Sequence, residues 1–228
     1  MLANFTSFTL GCRVLAVTVS LLGLCPAQYV LKSQGLIDPE SAISFVTDSA
    51  DFWKNSQDLE RGGFYTDVDR EGNPTKERKT VLTQSRHAFG FSKAFMLTGD
   101  ESYLDLARSA LDFQYAHCWD ETNDGWFVEA TEEGEVTDSN FNQSKWAFFQ
   151  DYALLGPASM VLAADSAIDR TWLERGTAAN EKRWDSRPGF EGYYENADSD
   201  YANPWGKGFL PTVDALNTYV IRRYQISG

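Results

Sequence analysis

A glycine followed by an aromatic pair recurs three times in this chain, at Gly63-Phe64-Tyr65, Gly125-Trp126-Phe127 and Gly192-Tyr193-Tyr194. The spacings are 62 and 67 residues. Ahead of each copy lies a segment with apolar residues at helical spacing, and behind each lies a second, more apolar helix. In the first unit the outer segment carries Ile43, Val46, Ala50 and Trp53 on one stripe, opened by Asp38-Pro39-Glu40. Aspartate as N-cap, proline at the first helical position and an acid in the first turn form a helix start. The inner segment, Thr80–Asp100, is apolar or small on nearly every side, and a helix of that kind belongs in an interior. Two separated motifs that repeat in the same order indicate a repeat architecture.

Each unit therefore reads as an outer amphipathic helix, a short Gly-aromatic β-hairpin and an inner helix. The first hairpin is expected to turn at Arg70–Pro74. In the second unit an inner helix is expected from Lys145 to about Leu155, with Gln143-Ser144-Lys145 echoing Gln84-Ser85-Arg86, and in the third from Thr212 to Tyr224. Units of this type pack with inner helices around an axis and outer helices covering them. The expected fold is all-α, an α/α toroid with short β-hairpins between helices. Six such units commonly close a ring, which at about 65 residues each needs roughly 390 residues. The chain, with its 228 residues, supplies about three. The expectation is a portion of a longer toroid whose apolar inner edge favours a homodimer.

Composition narrows the partners. The net charge is −13 and the sequence isoelectric point about 4.5. Nucleic-acid binding needs a basic surface that displaces counterions, so a phosphate-backbone partner is not expected. Residues 1–27 carry Arg13, an apolar run from Val14 to Cys25 and then Pro26-Ala27, the pattern of a cleaved secretory signal. The expected organisation is a signal at 1–27, a linker at 28–38 and a partial barrel domain at 39–228. The mature chain would be secreted or periplasmic, with no membrane association after cleavage. Only Cys118 then remains, so no intrachain disulfide can form, and adjacency to His117 does not make it a nucleophile because neighbouring side chains diverge on a helix. His87 and His117 do not make a metal site. No metal or cofactor is expected.

Arg86 is the exception within the inner helix. An unpaired buried charge costs several kcal/mol, so this guanidinium must meet a carboxylate, with Asp67 and Asp151 as candidates, or face a wet pocket.

Gly62-Gly63-Phe64, Gln84-Ser85-Arg86, Phe91-Ser92, Asp120 and Gly125-Trp126-Phe127 stand in an order that resembles the N-acylglucosamine 2-epimerase family. Lys145, Phe148, Gln150, Tyr152-Ala153, Lys207 and Asn217-Thr218 extend the resemblance from about residue 40 to the end. It implies an (α/α)6 barrel and the binding of a small-molecule reducing sugar, with proton movement at C2 by a histidine pair. It also implies that Arg86 contacts the sugar, and it marks Phe148, Asn217 and Trp126 as further substrate-binding candidates. The chain departs from the family at Phe148, where a tyrosine is common, and at Tyr219 and Ile221, where histidines are common. His87 is turned about 100° from Arg86 on the helix and is expected to pack between helices. No catalytic residue can be assigned from the sequence. Two other functions stay open. One is an α/α-barrel glycoside hydrolase drawing on Asp67, Asp69, Asp120, Asp124, Asp138 or Asp214, most of which read as turn and cap residues. The other is a non-catalytic sugar-binding protein whose aromatics stack on a saccharide.

Overall fold

The computed structural model describes residues 38–227. The expected signal segment, with Cys12 and Cys25, and all of the expected linker but Asp38 lie outside the described residues. The chain divides into two units, with the boundary after Phe45. Of the first, residues 38–45 are described, the opening of helix α1 (Pro39–Lys54). Asp38 caps it as expected, its carboxylate accepting from the Glu40 and Ser41 N–H groups at 3.3 Å.

The second unit runs from Val46 and is organised by helices in two rows. Helix α2 (Val81–Thr98) is capped by Thr80, whose hydroxyl accepts from the Thr83 N–H, and ends at Gly99 in the left-handed conformation. Helix α3 (Ser102–His117) lies against it. Then come α4 (Ala147–Tyr152), α5 (Leu155–Ala164), α6 (Ala167–Glu181), a π-helical turn at Leu210–Asp214 and α7 (Ala215–Ser227). Helix α2 packs on α5, and α4 and α5 pack on α7, so these form the inner row. Helices α3 and α6 cover α2 and α5 from outside. The core between the rows holds Phe64, Phe91, Tyr103, Leu111, Trp119, Trp126, Leu154, Leu173 and Tyr219. This is a partial α/α toroid, as the repeat predicts. No helix of the described residues is long and apolar enough to cross a membrane.

Two features differ from the sequence reading. The first is the ribbon. Within each repeat the strand contacts are small: Gln57 to Phe64 and Val68 to Pro74 in the first, Trp119 to Trp126 and Ala130 to Val136 in the second, and in the third the two-residue pairing of β3 (Trp184–Asp185) with β4 (Gly192–Tyr193) and the bridge of Asn196 to Trp205. The longer ladder joins different repeats: β1 (Arg78–Thr80) runs antiparallel to β2 (Glu129–Thr131), with Lys79 opposite Ala130. Ser144 pairs with Asp198 in the same manner one unit later. The ribbons therefore stitch neighbours together.

The second is the middle inner helix, which breaks at Ala153-Leu154 instead of running on to Leu155. Pro157 has no N–H to give the Ala153 carbonyl, and Gln114 Nε2 donates to that oxygen instead, at 2.8 Å. One residue earlier the Ser85 hydroxyl is inserted into the ladder. It accepts from Gly156 N–H at 2.8 Å and donates to Tyr152 O at 2.6 Å. A side chain inserted between the i and i−4 groups is a recognised cause of a helix break. Ser85→Ala is expected to leave that buried N–H and C=O unpaired and to cost about 1–3 kcal/mol, read as a lowered urea midpoint with an unchanged slope.

The coordinates also correct the register of the repeat. Lys79 and Lys145 each bind the aspartate that follows the outer helix, Asp58 and Asp120, at 2.8 Å. Gln84 and Gln150 each clamp the residue after the ribbon glycine. The Gln84 amide accepts from Phe64 N–H and donates to Phe64 O, and Gln150 does the same to Trp126. Lys145 thus matches Lys79 and not Arg86, and the second-unit counterpart of Arg86 is Tyr152.

Candidate functional site

Arg86 is exposed, and its guanidinium carbon lies 4.5 Å from the centre of the Tyr152 ring. Neither carboxylate considered as its partner is available. Asp67 is held by Arg78 Nε at 2.6 Å, and Asp151 by Arg183 at 2.9 Å and Asn180 at 2.8 Å. Instead Arg86 borders a cavity of about 370 Å³. Thr66, Thr80, Leu82, Thr83, Val128, Arg78, Glu129, Phe141 and Phe149 form the rest of its wall. The β1–β2 ladder supplies one side and the first turns of α2 and α4 the other. Cations stacked on aromatic faces contribute about 0.5–2 kcal/mol, which orients the guanidinium without neutralising it.

The electrostatics of this wall are uneven. Arg78 bridges Asp67 and Glu129, so its charge is compensated. Binding to Arg78 pulls the Asp67 carboxyl below the usual range. Arg86 has no carboxylate within 4.0 Å among the described residues, leaving a permanent positive charge at the cavity edge. Thr80 and Thr83 hydroxyls bond to one another at 2.9 Å and offer polar lining beside it.

The other three expected binding residues do not join Arg86 at this wall. Phe148 is half-buried against the Tyr152 ring, at 4.8 Å between centroids, and the adjacent Phe149 takes the place in the cavity. Asn217 is exposed on α7 and does not line the cavity. Trp126 is 1% exposed, in edge contact with Trp119 at 4.7 Å and against Tyr115 and Trp172. It is a core residue, so the stacking role expected of it has no open ring face to act from. Phe141, Phe149, Arg78 and Glu129 escaped the sequence reading. Phe149 follows a helix start two residues later than expected, Phe141 lies in the turn ahead of α4, and the ladder that brings Arg78 to Glu129 spans 51 residues.

Neither histidine reaches the cavity. His87 is packed among Trp53, Phe64 and Phe91, its Nδ1–H donating to Thr83 O at 2.8 Å. Burial pushes its pKa down to about 4, against the opposing pull of that carbonyl, so the ring is neutral near pH 7. His117 ends α3 with its ring against Phe113. Cys118 is fully buried and its thiol is pushed up to about 12 by burial, which makes it inert. Five of the six aspartates considered for hydrolysis are engaged locally, Asp67 with Arg78 and Asp138 with Gln143 among them, while Asp214 is exposed and lies outside the cavity wall. Asp69 holds the turn at Asn73, Asp120 binds Lys145, and Asp124 pairs with Lys182. Among the described residues no group of three or more His, Cys, Asp or Glu side chains could hold a metal ion.

Comparison with known proteins agrees with this architecture. The cellobiose 2-epimerase of Eubacterium cellulosolvens is 30% identical over 98 residues, which is 42% of this chain and 24% of that protein. The cellobiose 2-epimerase of Ruminococcus albus is 33% identical over 89 residues, 39% of this chain and 23% of that one. The structure of cellobiose 2-epimerase from Spirochaeta thermophila superposes with a TM-score of 0.67 at 22% identity, covering 82% of this chain and 48% of that protein. The chain thus spans about half the length of that structure. The profile of N-acylglucosamine 2-epimerase (GlcNAc 2-epimerase) matches residues 63–217, more than half of the sequence, and the chain belongs to that family.

Proposed function

We propose that this chain binds a reducing sugar at the Arg86 cavity and serves the epimerase or isomerase chemistry of its family at C2. The observation that carries the reading is an unpaired guanidinium at the edge of a cavity with two aromatic side chains in its wall. Removing a proton next to a carbonyl places negative charge on the carbonyl oxygen, and a fixed cation there stabilises that charge. Phe141 and Phe149 suit the apolar face of a pyranose or its open form. The cavity volume of about 370 Å³ is in the range of small-ligand sites.

Among the described residues no histidine lines this cavity, so proton transfer is assigned to groups outside its wall. The low pKa of His87 and the enclosure of its ring suit packing, and His117 sits at the far end of an outer helix. A glycoside hydrolase is less well supported, because the cavity wall carries one carboxylate, Glu129, and that group is bound by Arg78. A non-catalytic sugar-binding role is the second reading, favoured by Phe148 and Ile221 at positions where tyrosine and histidine are common.

Incubation with glucose, mannose or cellobiose in D2O separates these. The 228-residue chain is expected to bind sugar without placing deuterium at C2, and robust exchange would refute the missing proton relay. Arg86→Ala is expected to weaken sugar binding by about ten-fold or more, the loss of a charge-assisted hydrogen bond, with the helical circular dichroism unchanged. Unaltered affinity in that variant would remove the sugar site from this cavity.

A further inference from the structure

Most basic side chains in this acidic chain have a carboxylate at hand. Five of those described have no carboxylate within 4.0 Å among the described residues: Arg70, Arg86, Lys93, Arg222 and Arg223. Arg70 lies in an exposed turn and Arg223 is exposed on α7. The other three converge. Arg86, Phe89 and Lys93 stand at i, i+3 and i+7 on α2, one stripe of that helix about 10 Å long. Arg222 reaches from α7 onto the same stripe, its guanidinium 4.6 Å from the centre of the Phe89 ring. Lys93 Nζ lies 5.9 Å from the centre of that ring.

Neither cation is fully satisfied. Arg222 donates to the Thr218 carbonyl of its own helix, while its Nε is buried without a partner. Lys93 has a weak contact with the Met96 sulfur at 3.5 Å. Burial holds the Arg222 pKa below its ordinary value, and burial together with the Arg222 charge does the same to Lys93. Two like charges brought to one aromatic ring, half-buried and with no counter-ion among the described residues, are costly unless something negative joins them. An arginine fork beside a lysine point charge suits an oxyanion of carboxylate or phosphate type.

We propose that Lys93 and Arg222 form an oxyanion site on the inner face, and that the sugar bound at Arg86 is an acidic one whose carboxylate or phosphate docks between them. The inference rests on the sugar-binding reading of the Arg86 cavity. It assigns the two ends of the ligand different tasks. Arg86 meets the carbonyl end, and the Lys93–Arg222 pair meets the acid about two helical turns away.

The test measures binding of glucose, glucuronate, glucose 6-phosphate and inorganic phosphate to the full chain by calorimetry at about 20 mM salt, where charges are weakly screened. Acidic sugars are expected to bind at least ten-fold more tightly than glucose, with the advantage falling as salt rises. Lys93→Gln and Arg222→Gln should each reduce that advantage several-fold while leaving glucose affinity alone. Arg222→Lys, which keeps the charge, should retain most of it and guards against misfolding of the glutamine variant. Preference for glucuronate over glucose 6-phosphate, or the reverse, identifies the acid. Equal binding of glucose and acidic sugars, or insensitivity to both glutamine variants, would overturn the proposal while sparing the sugar site. Phosphate binding lost in Arg222→Gln, with no sugar binding at all, would keep the oxyanion site and sink the sugar reading. Absence of binding by every probe sinks both.

Discussion

Lys79→Met is expected to destabilise the fold by about 3–5 kcal/mol, the cost of stranding one partner of a buried ion pair. The Lys79 side chain is fully buried and Asp58 nearly so, and the ammonium also donates to the carbonyls of Gly62 and Glu132. Methionine fills the space but leaves the carboxylate and both carbonyls without that donor. The third repeat provides an internal comparison. Lys207 makes the equivalent contact to Asp185 at 2.7 Å, but it is one-third exposed, and Arg187 also binds the same carboxylate. Lys207→Met should therefore cost only about 0.5–1 kcal/mol, as for a partly solvated pair. Urea unfolding of both variants checks the contrast, and similar losses in the two would show that burial does not set the value of these pairs.

The same pair fixes a pH dependence. Burial pushes the Asp58 carboxyl up, but Lys79 and the N–H groups of Arg61 and Glu60 outweigh it and bring the pKa down to about 2. A carboxyl whose pKa is lower in the folded than in the unfolded chain contributes its stabilisation above the unfolded value, about 3.9. That contribution, about 2 kcal/mol, is lost as pH falls from about 4 to 2. In Lys79→Met the folded pKa moves back up, so the slope of stability against pH in this window should flatten. A slope equal to that of the parent chain would assign the acid sensitivity to other groups.

The parts of this architecture that were legible in the sequence are those with a local cause. Gly63 and Gly125 adopt φ of +71° and +81°, and a Cβ there would lie 2.7 Å from Phe113 and 2.2 Å from the Tyr201 hydroxyl. Only glycine meets both demands, so the repeat shows in the sequence as glycine. Arg86 was legible for the opposite reason, as the one permanent charge early in a helix otherwise apolar or small. The ion pairs were not, because a lysine beside a short strand looks like a solvated one until its aspartate, 21 residues earlier for Lys79 and 25 for Lys145, is brought beneath it. The cavity wall failed for a smaller reason. Trp146 is extended and α4 starts at Ala147, not at Lys145. With neighbouring residues about 100° apart on a helix, that detail decides whether Phe148 or Phe149 faces the cavity.

Trp126→Ala is expected to cost about 3–5 kcal/mol, comparable to the loss of Lys79 but for an apolar reason. The indole fills the junction of α3, α6 and the second ribbon, with Trp119, Tyr115 and Trp172 around it. Its backbone is clamped by Gln150 on both sides, so the residue cannot swing away to let the space collapse. The cavity left behind would stay largely open, which puts the cost toward the upper end of that range. Trp126→Phe keeps most of the ring area and removes an indole N–H that has no partner, so its loss should be about 1–2 kcal/mol. These variants also separate core from site. Trp126→Phe should leave sugar affinity unchanged within about two-fold, whereas Phe149→Ala, at the cavity wall, should weaken it several-fold, since aromatic contact area is lost there. A Trp126→Phe protein of near-parental stability that lost sugar binding would return this tryptophan to the site and displace Phe149 from it.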